Sequence, residues 1–266
     1  MESHEPSSFE SDKERERFRY DQRAKQKLQQ GEPGSQGLLG AAGIRPEFRA
    51  PYADYERQIM ARCQKGSRVL DLCCGTGMLS LIAHPTGAEI FVSDISQKNV
   101  ELACLIAKKN GVIISGETTD AESLPFADGS FDLVTCAGSL SYFDHGKGLK
   151  EICRVLTDGG YFICVDSLNQ NPFYRLNRWL HYLRGNRTVS TLLRMPTINI
   201  FSEFEAYLGK VKYKKFFGIF SFLIPMLMPL CGPTQTALVI DHLDRLFYYM
   251  SKYAFKFVAV VQKRGA

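Results

Sequence analysis

A short glycine-containing loop follows the first apolar run of the chain, in the segment VLDLCCGTG at residues 69–77. Two glycines, Gly75 and Gly77, let the backbone approach a ligand closely, and the acid Asp71 precedes them. Two adjacent cysteines, the first of them Cys73, stand in the same loop. Three kinds of chemistry fit these residue types: phosphate binding, a thiol or metal site, and binding of a positively charged group.

The acid in this loop separates the three alternatives. A nicotinamide-binding loop requires the pattern GxGxxG, whereas this loop reads DLCCGTG. Asp71 would repel a pyrophosphate but attract an ammonium group. A metal or redox site needs further ligands or a resolving thiol, and adjacent residues on a strand point to opposite sides. We therefore predict a ligand with an ammonium group, no metal and no thiol chemistry.

Two further acids lie at matching positions along the chain. Asp94 ends the second apolar strand segment, 23 residues after Asp71, which is the separation at which an acid reaches ribose hydroxyls. A carboxylate can accept two hydrogen bonds from a vicinal diol. Asp120, in TDAESLPFADGSFDLV, could accept a hydrogen bond from an adenine amino group. An ammonium group, a ribose and an adenine together describe S-adenosylmethionine.

Alternating strands and helices must position these residues. The apolar runs predict strands at 68–73, 88–95, 112–115, 131–138 and 161–167. Helical segments separate them, which is typical of a parallel doubly wound α/β sheet that binds ligands at the carboxyl ends of its strands. A strand candidate at 210–222, a helix near 235–250 and a final strand at 254–263 predict a reversed hairpin pair at the sheet edge.

Four motifs in this order and spacing resemble the class I S-adenosylmethionine-dependent methyltransferases, in particular the methyltransferase type 11 and quinone C-methyltransferase subgroup. They are VLDLCCGTG, FVSDIS, TDAESLPFADGSFDLV and LKEICRVLTDGGYFICVDS. The motifs cover about 69–168, and at the level of the fold the resemblance runs from about 55 to 263. It implies a Rossmann-like, mostly parallel seven-stranded sheet with an antiparallel C-terminal strand and a helical cap insertion. It also implies an enzyme that uses S-adenosylmethionine.

The resemblance also implies which residues hold the cofactor. They are Asp71, Cys73, Gly75 and Gly77 for the methionine moiety, Asp94 with Ile95 beside it for the ribose, and Asp120 with Ala121 for the adenine. Cys73 departs from the family, which most often has glycine there. We expect Cys73 to fit because a small side chain is tolerated where the backbone does not adopt a positive φ.

The loop SYFDHGKG, after the fourth strand, is where a catalytic base would lie. Methyl transfer from a sulfonium is an in-line displacement in which positioning can supply much of the rate, so a base is not required. His145 is the candidate base, with a simple helix-start residue as its alternative. Tyr142 is a candidate for lining the acceptor pocket.

The segment 171–215 carries nine Lys or Arg against two Glu, while the rest of the chain is slightly acidic. This pattern indicates either an anionic partner or a solvated basic face. Its arginines are Arg175, Arg178, Arg184, Arg187 and Arg194. Since arginine forks recognise carboxylates and phosphates, we predict Arg187 and Arg194 as substrate residues in a cap at about 169–235. The first hypothesis for the acceptor is a hydroxyl or amine of a small or medium-sized anionic metabolite, sugar or glycan intermediate.

The segment 216–240 has 25 residues without a charge, long enough to raise the question of a membrane span. Glycines and prolines would break such a helix several times, so we predict no span. An edge strand with an apolar wall or lid is the first interpretation, and peripheral docking on a membrane the second. The second favours a C- or O-methyltransferase of a lipid-like or quinone-like acceptor. A non-catalytic cofactor-binding protein is a further alternative, and nucleic acid is not predicted because no RNA-binding module is recognisable.

Two units are expected: a charged, flexible N-terminal arm at 1–45 and a methyltransferase domain at 46–266. The arm lacks a broad apolar face, so it is either poorly packed or a flap that orders over a ligand. The N-terminus has no apolar run typical of a signal peptide, and the eight cysteines show no paired spacing. We therefore expect reduced, mostly buried thiols and a cytoplasmic location. The oligomeric state is not predicted.

Overall fold

The computed structural model describes residues 8–30, 43–183 and 188–265. Its strands are β1 (Arg68–Leu72), β2 (Glu89–Asp94), β3 (Ile114–Thr118), β4 (Phe131–Ala137), β5 (Leu156–Ser167), β6 (Gly209–Phe217) and β7 (Lys256–Lys263). They form a seven-stranded sheet of order β3-β2-β1-β4-β5-β7-β6, in which β7 is antiparallel to both of its neighbours. The predicted doubly wound, mostly parallel sheet with a reversed C-terminal strand is confirmed.

Helices cover this sheet. They are α1 (Ser8–Gln30), α2 (Arg49–Met60), α3 (Gln97–Lys109), α4 (His145–Val155), α5 (Pro172–Leu183), α6 (Val189–Leu193), α7 (Ile200–Tyr207) and α8 (Ile224–Leu246). Side-chain caps fix where the two central ones begin. Ser96 accepts a hydrogen bond from the backbone N–H of Asn99 at the start of α3, and Asp144 accepts one from Lys147 at the start of α4.

The core lies on both faces of the sheet. Successive side chains of a strand point to opposite faces, so Leu70 of β1 joins one buried cluster and Val69 the other. The first cluster includes Phe204 of α7, and the second includes Tyr55 of α2. Burial on both faces explains why the strands β1, β4 and β7 are largely apolar.

Three local features differ from the prediction. The helix predicted between the first two strands, near residues 78–83, is a 3₁₀ helix at Ser80–Thr86 that contains Pro85. The strand predicted to start at 161 begins at Leu156, and its pairing with β4 shifts register around Gly159, whose φ is +74°. Gly159 adopts this left-handed conformation within the irregular part of the strand. Finally, the strand candidate at 210–222 ends at Phe217.

The helical insertion between β5 and β6 consists of α5, α6 and α7. The later part of the predicted cap, 169–235, contains β6, which belongs to the sheet. Two of the arginines predicted to act there, Arg184 and Arg187, lie outside the described residues.

The N-terminal arm contains one long helix, α1. Ala24 of this helix is 1% exposed, and Glu16 is also buried. The helix lies against α3 and α6. Of the two alternatives for the arm, this placement agrees with a covering flap. The glycine-rich part of the arm, 31–42, lies outside the described residues.

The helix α8 is both long and apolar. With the turn before it, at 221–246, it is long and apolar enough by length and composition to cross a membrane, and 17% of its most apolar window is buried. Gly232 interrupts it with φ 73° and ψ 172°, between Pro229 and Pro233. The predicted break in this helix is therefore present.

Candidate functional site

A cavity of about 220 Å³ opens at the carboxyl ends of β1, β2 and β4. The strand order reverses between β1 and β4, and such a switch point is where doubly wound sheets bind ligands. The loops after these three strands form one wall, and α1 and α6 form the other. Of the predicted site residues, this cavity brings together Asp71, Cys73, Gly75, Asp94, Ile95, Tyr142 and Arg194.

Asp71 lies near the end of β1 and is 3% exposed. Its carboxylate accepts hydrogen bonds from the hydroxyls of Ser80 and Thr135, the latter at 3.0 Å. Burial raises the pKa of Asp71 to about 6, against the opposing effect of these two hydroxyls. A carboxylate offers about four lone-pair positions, so about two remain for an ammonium group.

Asp94 ends β2 and ties the glycine loop to it. Its Oδ2 accepts a hydrogen bond from the backbone N–H of Gly75 at 2.9 Å. Its Oδ1 accepts one from the N–H of Ser96 at 2.9 Å and one from Nδ2 of Asn99 at 3.2 Å. Burial raises the pKa of Asp94, and these three donors oppose the rise. The donors fix the carboxylate in place and leave about one lone-pair position for a ribose hydroxyl.

The two loop glycines have different roles. Gly75 has φ +55° and lines the cavity. A Cβ added at Gly75 would have no atom within 4 Å. Gly77 has φ +74°, and a Cβ there would lie 2.4 Å from the Cβ of Ala103 in α3. Gly77 therefore packs the loop against α3, and among the described residues it is not one that lines the cavity.

Cys73 corrects an expectation. Its φ is +55°, and it is the one residue other than glycine with a positive φ in the described part of the chain. The assumption that this position avoids a positive φ is therefore wrong, which explains why the family most often has glycine there. The left-handed conformation costs a residue with a Cβ about 1–2 kcal/mol.

All eight cysteines are unpaired thiols, but only Cys136 and Cys164 are fully buried, fewer than expected. Burial raises the pKa of the Cys73 and Cys74 thiols, so both stay protonated near neutral pH. Within the described ranges, no three His, Cys, Asp or Glu side chains come together as a metal site.

The predicted adenine-binding residues, Asp120 and Ala121, lie beside this cavity and are not among its described lining residues. Lys13 of α1 lies 2.6 Å from Oδ2 of Asp120 and 2.9 Å from Oε1 of Glu122. Oδ1 of Asp120 accepts a hydrogen bond from the N–H of Glu122 at 3.0 Å. The Asp120 carboxylate, expected to accept a hydrogen bond from an adenine amino group, thus already has Lys13 as a partner.

Polar contacts hold α1 over the cavity. Asp12 accepts a hydrogen bond from the N–H of Ser190 at 3.2 Å. Glu16 accepts hydrogen bonds from the hydroxyls of Thr188 at 3.3 Å and Thr191 at 3.4 Å. These carboxylates therefore join α1 to the start of α6.

Several lining residues were not predicted from the sequence: Asp12, Lys13, Glu16, Tyr20, Ser139, Ser190 and Thr191. Those of α1 and α6 contact the rest of the protein largely through charges and hydroxyls. Apolar periodicity could not have found them. The one available signal was the interpretation of the arm as a flap.

Tyr142, the candidate pocket residue, lies in the cavity wall. Its hydroxyl accepts a hydrogen bond from the Tyr20 hydroxyl at 2.7 Å. The two rings pack edge to face with centroids 5.6 Å apart. This pair joins α1 to the loop after β4, so both chain segments contribute to the same wall.

His145 is not among the described residues that line the cavity. Its Nδ1 lies 2.8 Å from Oε2 of Glu203, and its Nε2 lies 3.0 Å from the carbonyl oxygen of Leu140. Both ring nitrogens therefore have partners within the protein. The geometry gives His145 the role of a helix-start residue, and its catalytic role stays a prediction without structural support.

The predicted arginine cluster is dispersed. Arg194 lies in the cavity wall, 4.0 Å from Oε1 of Glu122. Arg178 is buried and donates hydrogen bonds to the carbonyl oxygen of Leu168 at 2.6 Å and to Oδ1 of Asn169 at 2.9 Å. Arg178 therefore fixes α5 to the end of β5 and does not face an acceptor.

An open groove of about 640 Å³ lies between α1, the end of α5 and the start of α6. It shares Asp12 and Glu16 with the cavity, so these two side chains separate the spaces. Its rim carries exposed apolar side chains: Phe18 at 66%, Leu183 at 58% and Val189 at 47% exposure. The groove therefore adjoins the cavity and has exposed apolar side chains at its rim.

Residues 70–164 match a family model described as a methyltransferase domain. "Uncharacterized methyltransferase YcgJ" of Bacillus subtilis (strain 168) is 38% identical over 108 residues, or 40% of this chain and 43% of that protein. "Demethylmenaquinone methyltransferase" of Thermus thermophilus is 37% identical over 102 residues, or 37% of this chain and 46% of that protein. The chain thus spans less than half the length of these relatives.

Solved structures share the fold over a longer stretch. The crystal structure of the YcgJ protein aligns over 81% of this chain and 100% of that chain, with a TM-score of 0.54 and 24% identity. Geranyl diphosphate methyltransferase in complex with SAM aligns over 88% of this chain and 93% of that one, with a TM-score of 0.56 and 16% identity. The family match, the sheet order and the motifs agree: residues 70–164 are a methyltransferase domain, and the sheet has the strand order of the class I S-adenosylmethionine-dependent methyltransferases.

Proposed function

We propose that this protein transfers a methyl group from S-adenosylmethionine to a small-molecule acceptor. One observation carries the proposal: the carboxylates of Asp71 and Asp94 face a single cavity at the switch point of a methyltransferase fold. These two groups meet the ammonium and ribose ends of the cofactor. The proposal includes a cytoplasmic location, which the unpaired cysteines favour.

The residues present fit the cofactor. Asp71 retains lone pairs for an ammonium group, Asp94 retains one for a ribose hydroxyl, and Gly75 lets the backbone come close. When bound, the cofactor would supply a methyl group on a sulfonium: a nucleophilic atom of the acceptor would bond to the methyl carbon as the carbon–sulfur bond breaks, and the sulfur would leave as the neutral thioether S-adenosylhomocysteine. Ionised Asp71 attracts the ammonium group, and this attraction favours the ionised carboxylate in return.

The rest of the cavity wall positions the reactants and excludes water. The helix α1 covers the cavity, and the Tyr20–Tyr142 hydrogen bond closes the side next to the loop after β4. An in-line displacement depends on holding the two reacting atoms at close range. A cavity wall that positions the reactants and excludes water therefore contributes to the rate. The Tyr142 hydroxyl can orient an acceptor hydroxyl. No step of this scheme requires His145.

For the acceptor we favour a lipid-like or quinone-like molecule, methylated at carbon or oxygen. The anionic acceptor keeps Arg194, which lines the cavity, but it loses Arg178, which is buried in structural hydrogen bonds. The shared wall of the cavity and groove contributes two acids, Asp12 and Glu16. The apolar rim of the groove suits an acceptor with an apolar tail. The name of the relative demethylmenaquinone methyltransferase points in the same direction.

Methyl-labelled S-adenosylmethionine tests this function. The wild-type protein and the Asp94→Ala variant are incubated separately with the lipid extract and the aqueous extract of a cell lysate, and labelled products are identified by mass spectrometry. We expect label in the lipid extract with the wild type and none with the variant. Label in an anionic aqueous metabolite would refute the acceptor class. Bound cofactor without labelled product in either extract would refute methyl transfer.

A further inference from the structure

The helix α5 turns its apolar side chains toward solvent. The exposed fractions are 56% for Phe173, 56% for Leu176, 49% for Trp179, 39% for Leu180 and 58% for Leu183. The buried face instead carries Tyr174 and Arg178, at 8% and 6% exposure. On a surface helix of a soluble protein the apolar stripe faces the core. The orientation of α5 is the reverse.

The helical geometry places the exposed apolar side chains of α5 on one side and its buried polar side chains on the other. At about 100° per residue, the five apolar side chains fall within a sector of about 120°. Tyr174 and Arg178 fall on the opposite side. The Tyr174 hydroxyl donates a hydrogen bond to the carbonyl oxygen of Gly218 at 2.6 Å, and Arg178 donates one to Leu168 at 2.6 Å. These buried bonds fix the rotation of α5, so its apolar stripe cannot turn inward without breaking them.

The start of α8 lies next to this surface. Phe173 of α5 stacks on Phe222, just before α8, with ring centroids 4.6 Å apart and an interplanar angle of 18°. Exposed apolar side chains on α8 are Met226 at 60%, Leu230 at 79%, Leu238 at 59%, Val239 at 40% and Leu246 at 64%. Buried Thr236 and Ile240 hold this helix on the domain. We call the exposed apolar residues of α5 and α8 the apolar face.

The positive charge of the chain segment that precedes α8 indicates the partner of the apolar face. The strand β6 leads into α8 and carries four exposed lysines: Lys210, Lys212, Lys214 and Lys215. The segment 171–215 has nine Lys or Arg against two Glu. Two copies of this chain joined through the apolar face would bring two such basic segments together, whereas anionic lipids would neutralise one. Trp179 and Tyr249, both exposed, are residue types that favour the headgroup level.

We propose that the apolar face docks the protein on the surface of an anionic lipid bilayer. Docking leaves α8 on the surface and not across the membrane, because Gly232 breaks the helix and its far end is anchored in the domain. There, Asp244 accepts hydrogen bonds from the N–H groups of Gly218 and Phe220. An exposed apolar surface of this extent is unusual on a soluble monomer without a partner. The proposal does not depend on methyl transfer.

Vesicle flotation tests the docking surface. The probes are phosphatidylcholine vesicles and vesicles of phosphatidylcholine mixed with phosphatidylglycerol, each at low and high salt. The test variant combines Leu176→Glu with Leu238→Glu, one change on each helix. The matched control is Ile113→Glu, which changes an apolar side chain that is 95% exposed outside the apolar face.

The wild type is expected to float with the mixed vesicles and to release at high salt. The double variant should bind at least about tenfold more weakly, because two leucines that enter the bilayer on docking are replaced by charged side chains. The control should bind as the wild type does. Melting curves and cofactor calorimetry show that each variant is folded. A single Trp179→Gln change serves if the double variant is not, with weaker flotation again expected.

Three results would overturn the proposal. The first is a wild type that stays unbound with mixed vesicles at low salt. The second is a failure of the comparison between variants. Either a folded double variant floats as well as the wild type, or the Ile113→Glu control loses as much binding as the double variant. The third is a wild-type dimer in vesicle-free buffer that does not float and that the double change makes monomeric, since a second copy would then cover the apolar face. Cofactor binding is measured separately, so this failure is distinguishable from a failure of the proposed function.

Discussion

Substitution of Gly77 by alanine tests how the glycine loop is packed. Gly77 has φ +74°, and an added Cβ would lie 2.4 Å from the Cβ and 2.8 Å from the Cα of Ala103. The left-handed conformation costs a residue with a Cβ about 1–2 kcal/mol. Overpacking against the backbone of α3 costs about 1–3 kcal/mol more. We therefore expect Gly77→Ala to lower the free energy of unfolding by about 2–5 kcal/mol.

The matched control is Gly75→Ala. Gly75 also has a positive φ, +55°, but no atom lies within 4 Å of the position of its Cβ. It should lose only the conformational part, about 1–2 kcal/mol. Urea unfolding of the cofactor-free protein, followed by circular dichroism, measures both variants. If Gly77→Ala cost no more than Gly75→Ala, the close packing of the loop on α3 would not be what requires glycine at position 77.

Three further changes have expected outcomes. Asp71→Asn should be more stable than the wild type above about pH 7, by up to about 3 kcal/mol. Burial raises the folded pKa of Asp71 from 3.8 to about 6, so the stability of the wild type falls as the pH rises from 3.8 to about 6. Below about pH 4, urea unfolding should therefore show no gain in stability for Asp71→Asn over the wild type. His145→Ala should leave kcat unchanged and lower stability by about 1–2 kcal/mol, while a kcat loss of about a hundredfold would restore a catalytic role. Lys13→Met, which removes the contacts with Asp120 and Glu122, should speed cofactor dissociation in stopped-flow measurements, and an unchanged rate would show that α1 does not retain the cofactor.

Most of the sheet could be predicted because its signals are local. The strands β1, β2 and β4 and the second half of β5 contain apolar runs, which is what burial on both faces requires. Ser96 marks the start of α3 by its type alone, since a serine before an amphipathic run is a preferred cap. The acids Asp71 and Asp94 could be placed in one cavity because parallel strands end at the same edge of the sheet.

Conformation within the loop could not be predicted from residue types. Cys73 has a φ that favours glycine, and the sequence gives no sign that a thiol-bearing residue adopts it. Gly77 looked like a ligand-binding glycine because it occurs in a ligand-binding pattern. Its contact with Ala103 depends on how closely α3 approaches, which is a property of tertiary packing.

The orientation of helices was the other failure of prediction. An amphipathic pattern shows that α5 has two faces but not which one is buried, and here specific bonds from Tyr174 and Arg178 decide it. The sequence interpretation assumed that arginines on this helix are free for a substrate. The helix α1 could not be placed because ion pairs such as Lys13–Asp120 leave no periodic signal.

Isothermal titration calorimetry with S-adenosylmethionine tests the central claim, that this cavity binds the methyl donor. The account predicts saturable binding to one site in the wild type and affinity at least about tenfold weaker in Asp94→Ala, because a hydrogen bond to a charged group is lost. Cys73→Gly, in the same loop, should bind as the wild type does. Absence of binding at about millimolar cofactor, or equal affinity in Asp94→Ala, would contradict the claim.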